Sequence, residues 1–263
     1  MKRSEGPVPA VLCCDADNTL WDTDAVFANA QLGLLEDVER ALGIAVDTPD
    51  RLAFVREIDQ ELALRHHQGL RYPPRLLAHA VAGYLAGTSL PDAVKASYLG
   101  RHQEGPLNTA DAERAVARYL ENIRQRPDAR PGVAAALSCL SRRGVHILVV
   151  TESDKAKCRA TLQALGLDGF VTRVIEGIKR RELFERIARL YPRQMPMTMV
   201  GDQIDRDILP ARDAGFRTAL FPGRFRPKWT LQHAANSADI VIDDLSELEA
   251  LILNVDRRGK LTL

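Results

Sequence analysis

The sequence predicts an α/β protein: a parallel sheet with helices on both faces, interrupted just after its first strand by an all-helical insert. Three observations predict it. Short β-branched apolar runs alternate with amphipathic stretches through the second half of the chain, the pattern of a parallel sheet covered on both sides. No strand-like run occurs from Asp22 until past Pro131, where apolar residues recur at helical spacing instead. One apolar run, Val11 to Cys14, stands alone ahead of that helical stretch and ends in an acidic loop.

The first strand, Val11-Leu12-Cys13-Cys14, runs into Asp15-Ala16-Asp17-Asn18-Thr19-Leu20. Residues i and i+2 of an extended chain point to the same side, so Asp15 and Asp17 repel unless a cation lies between them. A divalent metal answers this, because hard cations take oxygen ligands. The same residues also read as a strand followed by an acidic turn.

Helices are expected at Ala25 to Leu42, Arg51 to Arg65, Pro73 to Leu85, Pro91 to Arg101 and Ala110 to Arg124. In the first of them Val26, Phe27, Ala30, Leu34, Val38 and Leu42 form a bundle-core face. Breaks fall at 43–49, 69–74, 87–91 and 105–108, where Gly and Pro gather. The alternating half follows: helix Val133 to Arg142, strand Val145 to Val150, helix Lys155 to Leu165, strand Val171 to Ile175, helix Arg181 to Leu190, strand Met197 to Val200, helix Ile208 to Ala214, then strands Thr218 to Phe221 and Ile240 to Ile242. Pro210 is tolerable only in a first turn. These elements divide the chain into an α/β core at 1–22 and 129–263 and a helical insert at 23–128.

Composition narrows the function. The 263 residues are 46% hydrophobic, enough for a packed core, and carry a net charge of +1, with no basic excess to suggest nucleic acid or a membrane surface. No apolar run approaches a membrane span, and Met1 to Pro7 lacks the apolar centre of a signal peptide. Cys13, Cys14, Cys139 and Cys158 show no CxxC spacing, which speaks against zinc and for buried thiols in a reducing cytoplasm.

Four polar groups follow predicted strands: Asp15 with Asp17; Thr151, at the mouth of a helix; Lys179, beside Arg180 and Arg181; and Gly201-Asp202-Gln203-Ile204-Asp205-Arg206-Asp207. Each has a plainer reading. Thr151 serves as a helix N-cap, Lys179 belongs to a solvated basic run, and Gly201-Asp202 makes a tight turn. What those readings leave unexplained is the recurrence of all four at the carboxyl ends of strands, where open α/β sheets bind ligands.

This ordered set resembles the haloacid dehalogenase superfamily. Asp15-x-Asp17-x-Thr19 is similar to its first motif, Thr151 at the end of an apolar strand to the second, Lys179 to the third, and Gly201-Asp202-x-x-x-x-Asp207 to the fourth. The resemblance implies a Rossmann-like core with a C1-type helical cap. It implies Asp15 as nucleophile forming an aspartyl-phosphate, Asp17 as general acid and base, Thr151 as a phosphoryl hydrogen-bond donor and Lys179 as the neutralising cation. Mg²⁺ is then held by Asp15, the Asp17 backbone carbonyl and Asp202, with Asp205 or Asp207 in support. Thr19 and Glu152 are placed at the substrate. Dehalogenases of the superfamily attack carbon and lack an acid at the position of Asp17, so its presence favours phosphoryl transfer. The chain departs from the pattern at Gln203, commonly Ser, at Arg206, often Asn, and after Lys179, where many relatives carry Pro; Arg180 is the alternative cation.

In the cap, the polar stretch 65–74 supplies His67 and Arg71 as substrate contacts, or forms a solvated turn. Trp21 and Phe27 either line a pocket or pack the hinge, and the basic-aromatic run 221–229 is a second candidate for substrate contact. The leading expectation is a cytoplasmic, Mg²⁺-dependent phosphomonoesterase whose partner is a small phosphorylated metabolite, a sugar phosphate or nucleoside monophosphate. The alternatives are a phosphomutase and a non-catalytic binding protein of the same fold.

Overall fold

The computed structural model describes residues 10–67, 72–100, 105–225, 227–228 and 237–253. Two compact units emerge, one of residues 1–23 with 127–263 and one of residues 24–126.

The first unit is built on six parallel strands: β1 (Val11–Cys14), β2 (His146–Thr151), β3 (Arg173–Glu176), β4 (Met197–Gly201), β5 (Arg217–Leu220) and β6 (Ile240–Val241). Their order is β3-β2-β1-β4-β5-β6. Cys14 pairs with Val149 on one side and Val200 on the other, so β1 is central and wholly buried. Strands buried on both faces need continuous apolar sequence. Alternate residues serve opposite faces. Leu12, Cys14, Ile147 and Val149 pack with α6 (Val133–Arg142), α7 (Lys155–Ala164) and α10 (Glu247–Leu253), while Val11, Cys13, Leu148 and Val150 pack with α8 (Arg181–Ala188) and α9 (Leu209–Asp213).

In this order the chain winds outward from β1 in both directions, and the point of reversal lies between β1 and β4. Crevices at such a point, at the carboxyl ends of the strands, are where doubly wound sheets bind ligands. Asp15 and Asp202 directly follow those two strands. The chain passes at 20–22 and 128–130 run antiparallel, joined by Asp22 N–H to the Asp128 carbonyl (2.9 Å) and Arg130 N–H to the Leu20 carbonyl (3.0 Å).

The second unit holds α1 (Thr23–Leu42, its first residue in the α/β unit), α2 (Arg51–Arg65), α3 (Pro74–Leu85), α4 (Leu90–Tyr98) and α5 (Thr109–Asn122). Asp50, Ser89 and Asn108 cap α2, α4 and α5 by accepting from the first-turn amides. Leu34, Leu35, Val38, Val55, Ile58, Leu62, Leu77, Val81 and Val94 form its core. Within that core Tyr72 Oη and Gln31 Nε2 both donate to the Asp59 carboxylate, the latter at 2.9 Å.

The structure amends several sequence expectations. Phe27 is 44% exposed rather than part of the α1 core face, whereas Ala30, Leu34 and Val38 of that face are fully buried. α4 ends at Tyr98, short of Arg101, where Gly100 at φ +73° takes the left-handed conformation that closes helices; Arg101 itself lies outside the described residues. The helix expected from Ile208 is preceded by a π-helical turn at Ile204–Ile208, and Pro210 sits in the first turn of α9. Among the described residues no helix is long and apolar enough to cross a membrane.

Phe184 is fully buried and meets Phe216 edge-on at 5.6 Å between ring centroids. Phe184→Ala is expected to lower the unfolding free energy of the α/β unit by about 3–5 kcal/mol, and Phe27→Ala to leave stability within about 0.5 kcal/mol. Urea denaturation of the two variants checks both; equal losses would contradict this packing.

Candidate functional site

The loops after β1, β3 and β4 converge on one buried ammonium. Lys179 follows β3 and is only 7% exposed. Its Nζ donates to Asp15 Oδ1, after β1, and to Asp207 Oδ1, in the π-helical turn after β4, the second contact at 2.6 Å. Asp15 is fixed again from behind by Thr19 Oγ1, which donates to Oδ2 at 3.2 Å. Asp207 is held by the Gln203 amide at 3.0 Å. The turn is tight because Gly201 leaves room for Asp207: a Cβ at position 201 would overlap the Asp207 side chain.

Ligand atoms of Asp15, Asp202 and Asp207 all lie within 4.8 Å of one another. Three carboxylates thus lie together, and the one ammonium donates to two of them. Burial pushes Asp15 up to about 7, with Lys179 opposing that rise and Asp207 adding to it. Burial works against the Lys179 charge, yet Asp15 and Asp207 outweigh it and hold its pKa above the ordinary value. An excess of negative charge among oxygen donors is what a hard divalent cation relieves.

Asp17 stands apart from that cluster. Its Oδ1 accepts from Trp21 Nε1 (2.9 Å) and Thr23 Oγ1 (2.8 Å), and its Oδ2 from Ser153 Oγ (3.1 Å). Asn18, at φ +59°, turns the chain sharply between the strand end and these donors. Arg130 donates to the Asn18 carbonyl, stacks on the Phe221 ring at 3.4 Å and reaches the Pro222 carbonyl at 3.3 Å.

Thr151 closes β2 and is 1% exposed, with its Oγ1 accepting from the Ser153 amide at 3.0 Å. The N-cap of α7 is Asp154, so the capping reading of Thr151 does not hold. Two residues expected at the substrate are otherwise engaged. Thr19 has no exposed surface and serves Asp15. Glu152 accepts from the Lys179 amide and from Arg206 Nη1, each at 2.9 Å. Asp205 and Arg180 are exposed, and it is Asp207 that meets Lys179. His67 is exposed in the helical unit and stacks on His66 with centroids 4.4 Å apart; Arg71 lies outside the described residues.

Sequence reasoning passed over Ser153, Thr23 and Arg130. The first two carried a signal: hydroxyls two residues beyond Thr151 and six beyond Asp17. Arg130 carried none, since its partners Asn18 and Pro222 are distant in the chain.

The chain belongs to the haloacid dehalogenase-like hydrolase family, which matches it over residues 9–215. A curated relative, the ribulose-1,5-bisphosphate 5-phosphatase of Halopiger xanaduensis, is 32% identical over 145 residues, 51% of this chain and 59% of that protein. The match thus spans less than two thirds of the relative's length. Solved structures share the fold. A haloacid dehalogenase-like hydrolase from Xanthomonas campestris aligns over 97% of this chain and 99% of its own at 16% identity and a TM-score of 0.60. The magnesium-bound HAD-type protein YfnB of Bacillus subtilis aligns over 94% and 99% at 18% identity and 0.56. A protein described as a predicted phosphoglycolate phosphatase from Haemophilus somnus aligns over 95% and 99% at 19% and 0.55.

The close approach at Gly201 sets a test of the site's packing. Gly201→Ala is expected to cost about 1–3 kcal/mol, the usual range for overpacking, because Asp207 must leave Lys179 to make room. Thermal denaturation measures it. An unchanged melting curve would mean that Asp207 is not held where the π-helical turn puts it.

Proposed function

We propose that this protein is a Mg²⁺-dependent phosphomonoesterase that works through an aspartyl-phosphate on Asp15. The observation that carries the reading is the Asp15–Lys179–Asp207 arrangement, with Asp202 in the same cluster, at the switch point of the sheet. It is supported by membership of a hydrolase family.

Mg²⁺ fits the donor set, which is all oxygen and short of positive charge. Asp15 and Asp202 would hold it with the Asp17 backbone carbonyl, and when bound it supplies charge neutralisation where the phosphoryl group meets the nucleophile. The protein's own groups do the rest. Asp15, held by Thr19 and Lys179, attacks phosphorus in line while the bond to the leaving oxygen breaks. Asp17 gives that oxygen its proton. Asp17, now a carboxylate, takes a proton from the water that attacks the acyl phosphate, which releases phosphate and restores Asp15. Thr151 and Lys179 stabilise charge on the phosphoryl oxygens without transferring protons.

The substrate class is a small phosphorylated metabolite. The sugar bisphosphate named for the curated relative makes sugar phosphates the first to test. The helical unit is read as a C1-type cap, and selectivity is assigned to it because the core groups address only phosphate and metal. Four free thiols, three of them buried, support a cytoplasmic setting.

A phosphate-release screen over phosphorylated metabolites is expected to find turnover that needs Mg²⁺, stops in EDTA and vanishes in Asp15→Asn. Hydrolysis in chelator, or more than a trace of activity in that variant, would sink the reading. Asp17→Asn is expected to lose about 10²–10⁴-fold in rate while Mg²⁺ affinity by calorimetry is kept. A variant that lost metal instead of rate would reverse the roles. His67→Ala should alter relative rates among substrates more than hydrolysis of a small aryl phosphate; uniform losses would move selectivity out of the helical unit.

A further inference from the structure

Glu152 lies in the loop after β2, yet both of its carboxylate oxygens are spent on other loops. Oε1 accepts from the backbone amide of Lys179, after β3, and Oε2 from the guanidinium of Arg206, after β4, each at 2.9 Å. The Arg206 side chain is 51% exposed and that of Glu152 is 26% exposed, so the ion pair itself is worth little. The bond to Lys179 is different. It is a charge-assisted acceptor on the amide of the residue whose ammonium reaches Asp15 and Asp207. Few other bonds hold that loop. Gly177 N–H reaches the Thr151 carbonyl at 3.0 Å and Arg180 N–H the Ile178 carbonyl at 2.9 Å, while Ile178 between them is 64% exposed. Nor is the loop stiffened by proline after the lysine. Arg180 has φ −118° and a bonded amide, neither of which proline allows.

We infer that Glu152 is a positioning residue for Lys179: its carboxylate fixes the backbone from which the ammonium is extended. The inference rests on the proposed phosphoryl chemistry for its kinetic consequence. A lysine displaced by even about 1 Å loses much of its worth to a developing charge.

The test compares three variants on whichever ester the phosphate-release screen identifies. Glu152→Ala removes the acceptor and is expected to lower kcat by about 10- to 100-fold with little change in KM. Glu152→Gln keeps an oxygen for the Lys179 amide and is expected to recover most of kcat. Arg206→Gln leaves the Glu152–Lys179 bond in place and is expected to behave as the wild type. Wild-type kcat in Glu152→Ala, equal damage in Glu152→Gln, or a loss confined to KM would each overturn the assignment. Hydrogen exchange at the Lys179 amide reads the brace without catalysis: it should quicken in Glu152→Ala and not in Glu152→Gln, and unchanged exchange would refute it. If the wild type releases no phosphate from any ester, the phosphatase reading fails, and the exchange measurement still decides whether the brace exists. Should Glu152→Ala not fold, Glu152→Ser makes the same truncation.

Discussion

A single buried ammonium organises the α/β unit's site. Lys179 can stay charged in a place with almost no solvent only because Asp15 and Asp207 accompany it. Those carboxylates leave two other strands, so the interaction exists only if the sheet brings the ends of β1, β3 and β4 together. The order β3-β2-β1-β4-β5-β6 does so, with β1 and β4 side by side and β3 one strand removed. The chemistry therefore depends on topology more than on any local motif. Asp15, Asp202 and Asp207, with ligand atoms within 4.8 Å of one another, make a cluster that could hold a cation.

Around that centre the loops are tied to one another by polar bonds as well as by apolar packing. Asp17 accepts from donors on its own segment and from Ser153 after β2. Glu152 joins the loops after β2, β3 and β4. Arg130 joins the Asn18 turn to the segment after β5. Dipoles and charges fixed in advance need no reorganisation as charge develops on a substrate, which is how electrostatic stabilisation gains its effect. The short strands beneath are apolar and rigid, and so supply fixed anchors for these loops.

Much of this was legible in the sequence, for identifiable reasons. The central strands β1 and β2 are apolar runs, VLCC and ILVV, and such runs stand out in a sequence. The bounds of α2 and α6 were readable because Asp50 marks one start and glycines flank the other. Asp15 and Asp202 were legible because each immediately follows a strand, and Asp17 and Lys179 because they lie in loops that begin at a strand's end. What could not be read was partnership across the chain. Nothing near Glu152 in the chain announces its partners, which are 27 and 54 residues away. Thr19 is fully buried and donates to Asp15. Asp205 and Asp207 were equivalent as letters; the π-helical turn, which no propensity announces, buries Asp207 and leaves Asp205 exposed. Phe27 fitted a helical stripe, but of that stripe it is Ala30, Leu34 and Val38 that are fully buried.

The helical unit carries a constraint of its own. Asp59 is buried in its interior, and burial raises its pKa against the bonds it accepts from Tyr72 and Gln31. A buried carboxyl group is costly unless its oxygens are bonded, so this network holds only while α1, α2 and the start of α3 keep their relative places. Tyr72 meets the His66 ring edge-on at 6.2 Å, and His66 in turn stacks on His67 and meets Tyr98 at 5.6 Å. The same network that fixes three helices thereby fixes the aromatic cluster at the end of α2. Asp59 ties α1, α2 and the segment before α3 to one another as Lys179 ties the loops of the α/β unit, and in both places the device is a buried ionisable group bonded to neighbours from separate segments.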